Sequence, residues 1–199
     1  MNARPGCWAR YLPSLGRSLV PYAALLVAGC LQGTGSNGSS AVSPGRATAT
    51  VQELMQGSID PAADALWDSV AYIATASGVE DRHPRSEEDW NAVRSSAVQL
   101  IEAAKRLGIP DRPVAADLAE TRAANPGELS PREMQQRIEA SRGAFAQYAR
   151  GLQEAGLKAL VAIDARDVQG LMDAGGTIDQ ACEACHLTYW YPPSSSDGA

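Results

Sequence analysis

From about Thr48 onward, apolar residues recur at spacings of three and four, the period of helices that bury one face. The first such stretch runs from Thr48 to Ala76. It places Val51, Leu54, Met55, Ile59, Ala62, Leu66, Val70 and Ile73 on one stripe. Asp60-Pro61 interrupts it. Pro61 lacks the N–H that would bond the Gly57 carbonyl, so the helix is expected to kink or restart there, with Asp60 as N-cap and Pro61 at the first helical position. The second stretch starts at Ser86, with Glu87, Glu88 and Asp89 in its first turn, where they suit the helix dipole. Its stripe is Trp90, Val93, Ala97, Leu100, Ile101 and Ala104, and Gly108 and Pro110 end it.

A Pro/Asn/Gly-containing connection follows over 109–129, with a short helical turn expected from Val114 to Arg122. The third stretch opens at Ser130-Pro131 and carries Met134, Ile138, Phe145, Tyr148, Leu152, Ala155, Ala159 and Ile163, with Gly156 inside the pattern. The fourth starts near Asp167, carries Val168, Leu171, Met172, Gly175, Ile178, Cys182 and Cys185, and stops before Pro192-Pro193. Runs of β-branched residues are absent. Four amphipathic helices, short links at 77–85 and 164–166 and one longer crossover predict an all-α domain over 48–191, an antiparallel four-helix bundle, with 192–199 as a tail.

The residues before this domain read as targeting sequence. Arg4, Arg10 and Arg17 form a basic region, and Leu19 to Gly29 is an uncharged apolar run too short to span a bilayer. It ends Leu26-Val27-Ala28-Gly29-Cys30, which resembles a bacterial lipobox. Residues 1–29 are then a lipoprotein signal peptide, and Cys30 is the lipidated N-terminus of the mature chain. An ordinary secretory signal is the alternative, and either exports the chain. Residues 30–47 are Gly/Ser-rich and read as a flexible tether. The signal carries three of the 17 basic residues and none of the 23 acidic ones, so the mature chain has a net charge of −9. That balance argues against nucleic acid and against charge-driven binding to anionic lipid. The membrane contact expected here is the lipid anchor.

Residues 182–186 read Cys182-Glu183-Ala184-Cys185-His186. A C-x-x-C-H pentapeptide is the signature of covalent c-type haem attachment. The two thiols lie one helical turn apart on one face and can each add to a vinyl group of the same porphyrin, while His186, four residues after Cys182, points the same way and can reach the iron. A redox disulfide or half of a zinc site are the alternatives. Zinc would want four ligands, and only His83, Cys7 and Cys30 remain, none in a paired motif. A thioredoxin-like site would set the cysteines at the opening of a helix, whereas here they lie near the end of one.

With that motif on the fourth helix and Tyr189 shortly after it, residues 48–191 resemble the class II cytochromes c, the cytochrome c-prime group and its low-spin relatives. One departure is Trp190, which stands where cytochromes c-prime usually carry a basic residue. The resemblance implies one covalent haem c, with His186 as proximal iron ligand. In low-spin members a Met from the first helix ligates the iron. Met55 lies near the start of the first stretch, and in an antiparallel bundle that end lies beside the last turns of the fourth helix. Met55 is therefore the expected sixth ligand, with Met134 next in line. Met172, about four turns before His186 on the same helix, cannot reach the opposite face.

The function expected is one-electron transfer at the periplasmic side of a bacterial membrane, with a redox partner protein or membrane electron-transfer complex, and with room for a homodimer. No catalytic residues are expected. The alternative is a five-coordinate gas-binding protein of the c-prime type. His83, beside Pro84, is expected to be solvated, Trp67 and Trp90 to pack in the core or at the haem edge, and Glu183 to be a solvated spacer. Close approach of a helix or of haem would explain Gly175 and Gly176 within the last helix, and so would local irregularity.

Overall fold

The first helix opens on a capping box. In the computed structural model, which describes residues 48–119 and 123–193, the Thr50 Oγ1 accepts the Glu53 N–H at 3.0 Å and the Glu53 carboxylate accepts the Thr50 N–H at 2.7 Å. Helix α1, Val51–Leu54, leaves N–H groups at its start that its own turns cannot satisfy. The carbonyls of Pro113 and Val114 accept those of Val51 and Gln52, each at 2.9 Å. The connection after the second long helix is thereby tied to the first, and the described part of 114–122 forms no helical turn.

Asp60-Pro61 does not restart the chain. Residues Met55–Ile59 widen into one π turn, in which the Asp60 N–H bonds the Met55 carbonyl, and α2, Asp60–Asp68, continues from it. Pro61 sits in the first turn of α2, where a missing N–H costs least. The N-cap is Ile59 rather than Asp60, and it makes no side-chain cap. A π turn is the local adjustment by which a helix absorbs such a residue without breaking.

The helical expectation fails from Ser69 to Ala76. The Ser69 hydroxyl bonds the Leu66 carbonyl at 2.7 Å as α2 ends, and β1, Ala71–Thr75, pairs antiparallel with β2, Gly78–Arg82. The facing residues Thr75 and Gly78 close the hairpin, with Gly78 at φ +131°, where a side chain would be strained. Tyr72, Ile73, Thr75 and Val79 favour strands. Val70 and Ile73, the residues that suggested a continuing stripe, are too few for periodicity to separate helix from strand.

Helix α3, Glu87–Leu107, is capped by Ser86 and Asp89 and buries the whole expected stripe from Trp90 to Ala104. The third stretch is two helices, α4, Pro131–Ala140, and α5, Arg142–Asp164. Between them Ser141 leaves helical geometry at φ −142°, ψ 42°, and its hydroxyl turns to the Arg137 carbonyl and the Tyr189 hydroxyl at 2.8 and 2.9 Å. Serine competes with the helix for backbone partners, and Gly143 adds a second weak helix former. Helix α6, Val168–Tyr189, starts at the Asp167 cap, whose carboxylate accepts the Gly170 N–H at 2.9 Å.

The described residues are thus mostly helical, with one small hairpin. Helix α5 packs on α3 and α6, and α2 packs on the same two. Gly156 and Gly175 allow close approach of neighbouring helices. A Cβ at Gly156 would lie 2.9 Å from Ile101 Cγ1, and one at Gly175 would lie 3.2 Å from Trp67 Cδ1, whose Nε1 donates to the Gly175 carbonyl at 3.0 Å. A Cβ at Gly176 would meet nothing within 4 Å, so helix approach accounts for Gly175 alone. Among the described residues no helix is long and apolar enough to cross a membrane. Cys30, the signal and tether expected over 1–47, and tail residues 194–199 lie outside the described residues.

Candidate functional site

Cys182, Cys185 and His186 occupy the last turns of α6, where the 3.6-residue period sets all three toward the same side. With Ala181 they form one wall of a cleft. Met55 and Ile59 of the π turn, Leu107 at the end of α3, and Tyr148 and Leu152 of α5 form the others. The four expected site residues of the described domain therefore share one cleft. Its free volume is about 10 Å³, room for about one water.

The chemistry of this donor set follows from burial. Cys182 and His186 are each 8% exposed, and both cysteines are free thiols. Burial pushes the Cys185 thiol up to about 12, with the neighbouring Cys182 adding to the effect. Cys185 is partly exposed as a residue, but its sulfur is closely surrounded by protein, and that governs the thiol. Burial lowers His186 to about 4 against an opposing pull from Glu183, so at neutral pH the imidazole is uncharged and offers a nitrogen lone pair.

His186 stays buried only three residues from the helix end because the chain folds back over it. The N–H groups of Trp190 and Tyr191 both bond the His186 carbonyl, at 2.8 and 3.0 Å. The Trp190 ring meets the imidazole edge-on at 5.0 Å between centroids, and the Tyr191 ring lies at 5.8 Å. The Tyr191 hydroxyl donates to Glu183 at 2.6 Å, so Glu183 is not merely a solvated spacer. Tyr189 is buried, edge-on to Phe145 at 5.3 Å and to Tyr148 at 5.8 Å.

The remaining candidates lie elsewhere. Met134 on α4 and Met172 on α6 are half-buried against the core and do not line the cleft. Trp67 is committed to Gly175, and the Trp90 ring carries the Arg166 guanidinium 5.3 Å from its centroid. The His83 Nδ1 lies 3.3 Å from the Asp81 carboxylate in the segment after the hairpin. Among the described residues no three or more His, Cys, Asp or Glu side chains are grouped to hold a metal ion between them. Sequence reasoning did not single out Leu107, Tyr148 or Leu152 as site residues. Tyr148 and Leu152 stand on the core stripe of the third stretch, but a stripe does not say which of its members face the cysteines.

Compared with known proteins, the chain matches no family model, no curated sequence and no solved structure.

Proposed function

We propose that this chain is an exported monohaem c-type cytochrome of the class II kind, a four-helix bundle built from α1–α2, α3, α4–α5 and α6, that passes single electrons. The observation that carries the reading is the shared cleft: the C-x-x-C-H residues and Met55, from opposite ends of the helical domain, line the same small apolar space. The donor set suits the group. Two free thiols one turn apart suit two thioether links, a neutral buried imidazole suits an iron ligand, and a buried thioether is available across the cleft. The free volume of about 10 Å³ is far below what a porphyrin needs, so the wall carrying Met55 and Ile59 has to part from α6. The π turn suits that wall, because its backbone is already irregular and a side chain added at Gly57 would point into open space.

Haem supplies an iron centre that cycles between two oxidation states by one electron. The chain supplies the rest. Cys182 and Cys185 would hold the group covalently, and His186 and Met55 would bind its iron. Ile59, Leu107 and Leu152 exclude water, and Trp190 and Tyr191 cover the imidazole. Anchoring by lipid at Cys30 would hold the domain at the periplasmic side of a bacterial membrane, within reach of a redox partner protein. The second reading is a five-coordinate gas-binding protein. It draws on Ile59 and Leu107, which would leave an apolar face over the iron if Met55 only packs.

Acid–acetone extraction and the visible spectrum of the purified mature protein test the proposal. Covalent haem survives extraction, and the ferric protein is low-spin and six-coordinate. Haem that washes out of correctly matured protein rejects the reading. A high-spin ferric spectrum with ready carbon monoxide binding replaces electron transfer with gas binding.

A further inference from the structure

A second and larger cavity, about 140 Å³, lies between residues 108–112, which follow α3, and the facing sides of α4 and α5. That is many times the roughly 10–15 Å³ one water needs, so it admits a molecule of several heavy atoms. Arg112 lines it and is only 6% exposed. The guanidinium donates from Nε and Nη2 to the Arg106 carbonyl, at 3.1 and 2.8 Å, and from Nη1 to the Ala49 carbonyl. None of these partners is a carboxylate, although buried charges are ordinarily paired. Burial, and Arg106 nearby, both disfavour the charge Arg112 carries.

The carboxylates around the cavity are already engaged. Asp111 pairs with Arg142, and Glu139 accepts the Gln135 amide at 2.8 Å. Asp111 also holds φ +60°, a left-handed conformation that a non-glycine residue adopts at some cost. Ile138, Phe145 and Ala146 give the cavity an apolar side.

We propose that this cavity binds a small monocarboxylate, its carboxylate on Arg112 and its hydrocarbon end against Ile138, Phe145 and Ala146. A guanidinium matches a carboxylate through paired N–H donors, and each Nη has a second N–H beyond the one used on a backbone carbonyl. The carboxylate can come from a free acid or, resting there on the haem reading, from a propionate arm of the macrocycle.

Calorimetric titration of the purified full chain with sodium propionate, at fixed ionic strength, tests the site. Ala146→Leu fills the apolar side while keeping Arg112 and its bonds to Arg106 and Ala49 intact. The expected result is saturable binding that Ala146→Leu weakens by about tenfold or more. If wild type takes up no propionate but Arg112→Lys shifts the reduction potential with an unchanged visible spectrum, the carboxylate is the cofactor's own. The absence of both binding and a shifted potential overturns the proposal. The titration needs no haem, so rejection of the cytochrome reading leaves it standing as a separate result.

Discussion

Tyr191 reaches back across the last turn of α6 and donates its hydroxyl to Glu183 at 2.6 Å, with His186 covered between them. The middle of the C-x-x-C-H motif is thereby tied to the residues that follow the helix. Tyr191→Phe removes the hydrogen bond and keeps the ring. For an exposed pair the expected loss of stability is small, about 0.5–1 kcal/mol by urea denaturation. Glu183→Gln, which retains an acceptor, should lose less than Glu183→Ala. Equal losses for the two would show that the bond does not hold the cover.

Met55 carries the functional claim. If its thioether binds iron opposite His186, Met55→Ala should turn the ferric protein from low-spin to high-spin, admit carbon monoxide in the ferrous state and lower the reduction potential, since the thioether favours the ferrous form. The fold should survive, because Cys182 and Cys185 keep the group attached. A low-spin Met55→Ala protein would move the assignment elsewhere. Met134, the other candidate from the sequence, is half-buried on α4 and absent from the cleft lining.

With no group bound, the chain should lose stability in acid through His186. Its pKa falls from 6.5 to about 4 on burial, so the unfolded chain binds the proton that the folded chain refuses. Stability is fully present above about pH 6.5 and is lost as pH falls toward 4, by a total of about 3 kcal/mol. Denaturant midpoints of the haem-free chain at pH 7 and pH 4.5 measure this, and His186→Gln should remove most of the difference. A midpoint in the His186→Gln variant that falls as far as in wild type would assign the acid sensitivity to other groups.

Gly156→Ala should destabilise the domain. The new methyl would meet Ile101 Cγ1 at 2.9 Å, closer than real carbon contacts come, and a packed core yields to such crowding at about 1–3 kcal/mol. Gly176→Ala on α6, where nothing lies within 4 Å, should be neutral or slightly stabilising. Thermal melts of the two variants compare them directly.

The sequence by itself determined the helical faces. The stripes of α3 and of α1–α2 up to Val70 are buried residue for residue, and Ser86, Ser130 and Asp167, where three of the stretches were expected to start, cap their helices. These are local properties: a 3.6-residue period and a hydroxyl or carboxylate three residues before an N–H are written in neighbouring positions. The C-x-x-C-H motif was legible for the same reason. Tertiary structure alone decided what bends the helices and what meets across them. The π turn at Met55–Ile59 absorbs Pro61 instead of restarting the helix, and Ser141 breaks the third stretch while bonding Tyr189. The meeting of Met55 with Cys182, Cys185 and His186, and of Arg112 with Ala49, joins residues far apart in sequence. Such contacts depend on how whole helices pack, a choice among alternatives that no single stretch of periodicity contains.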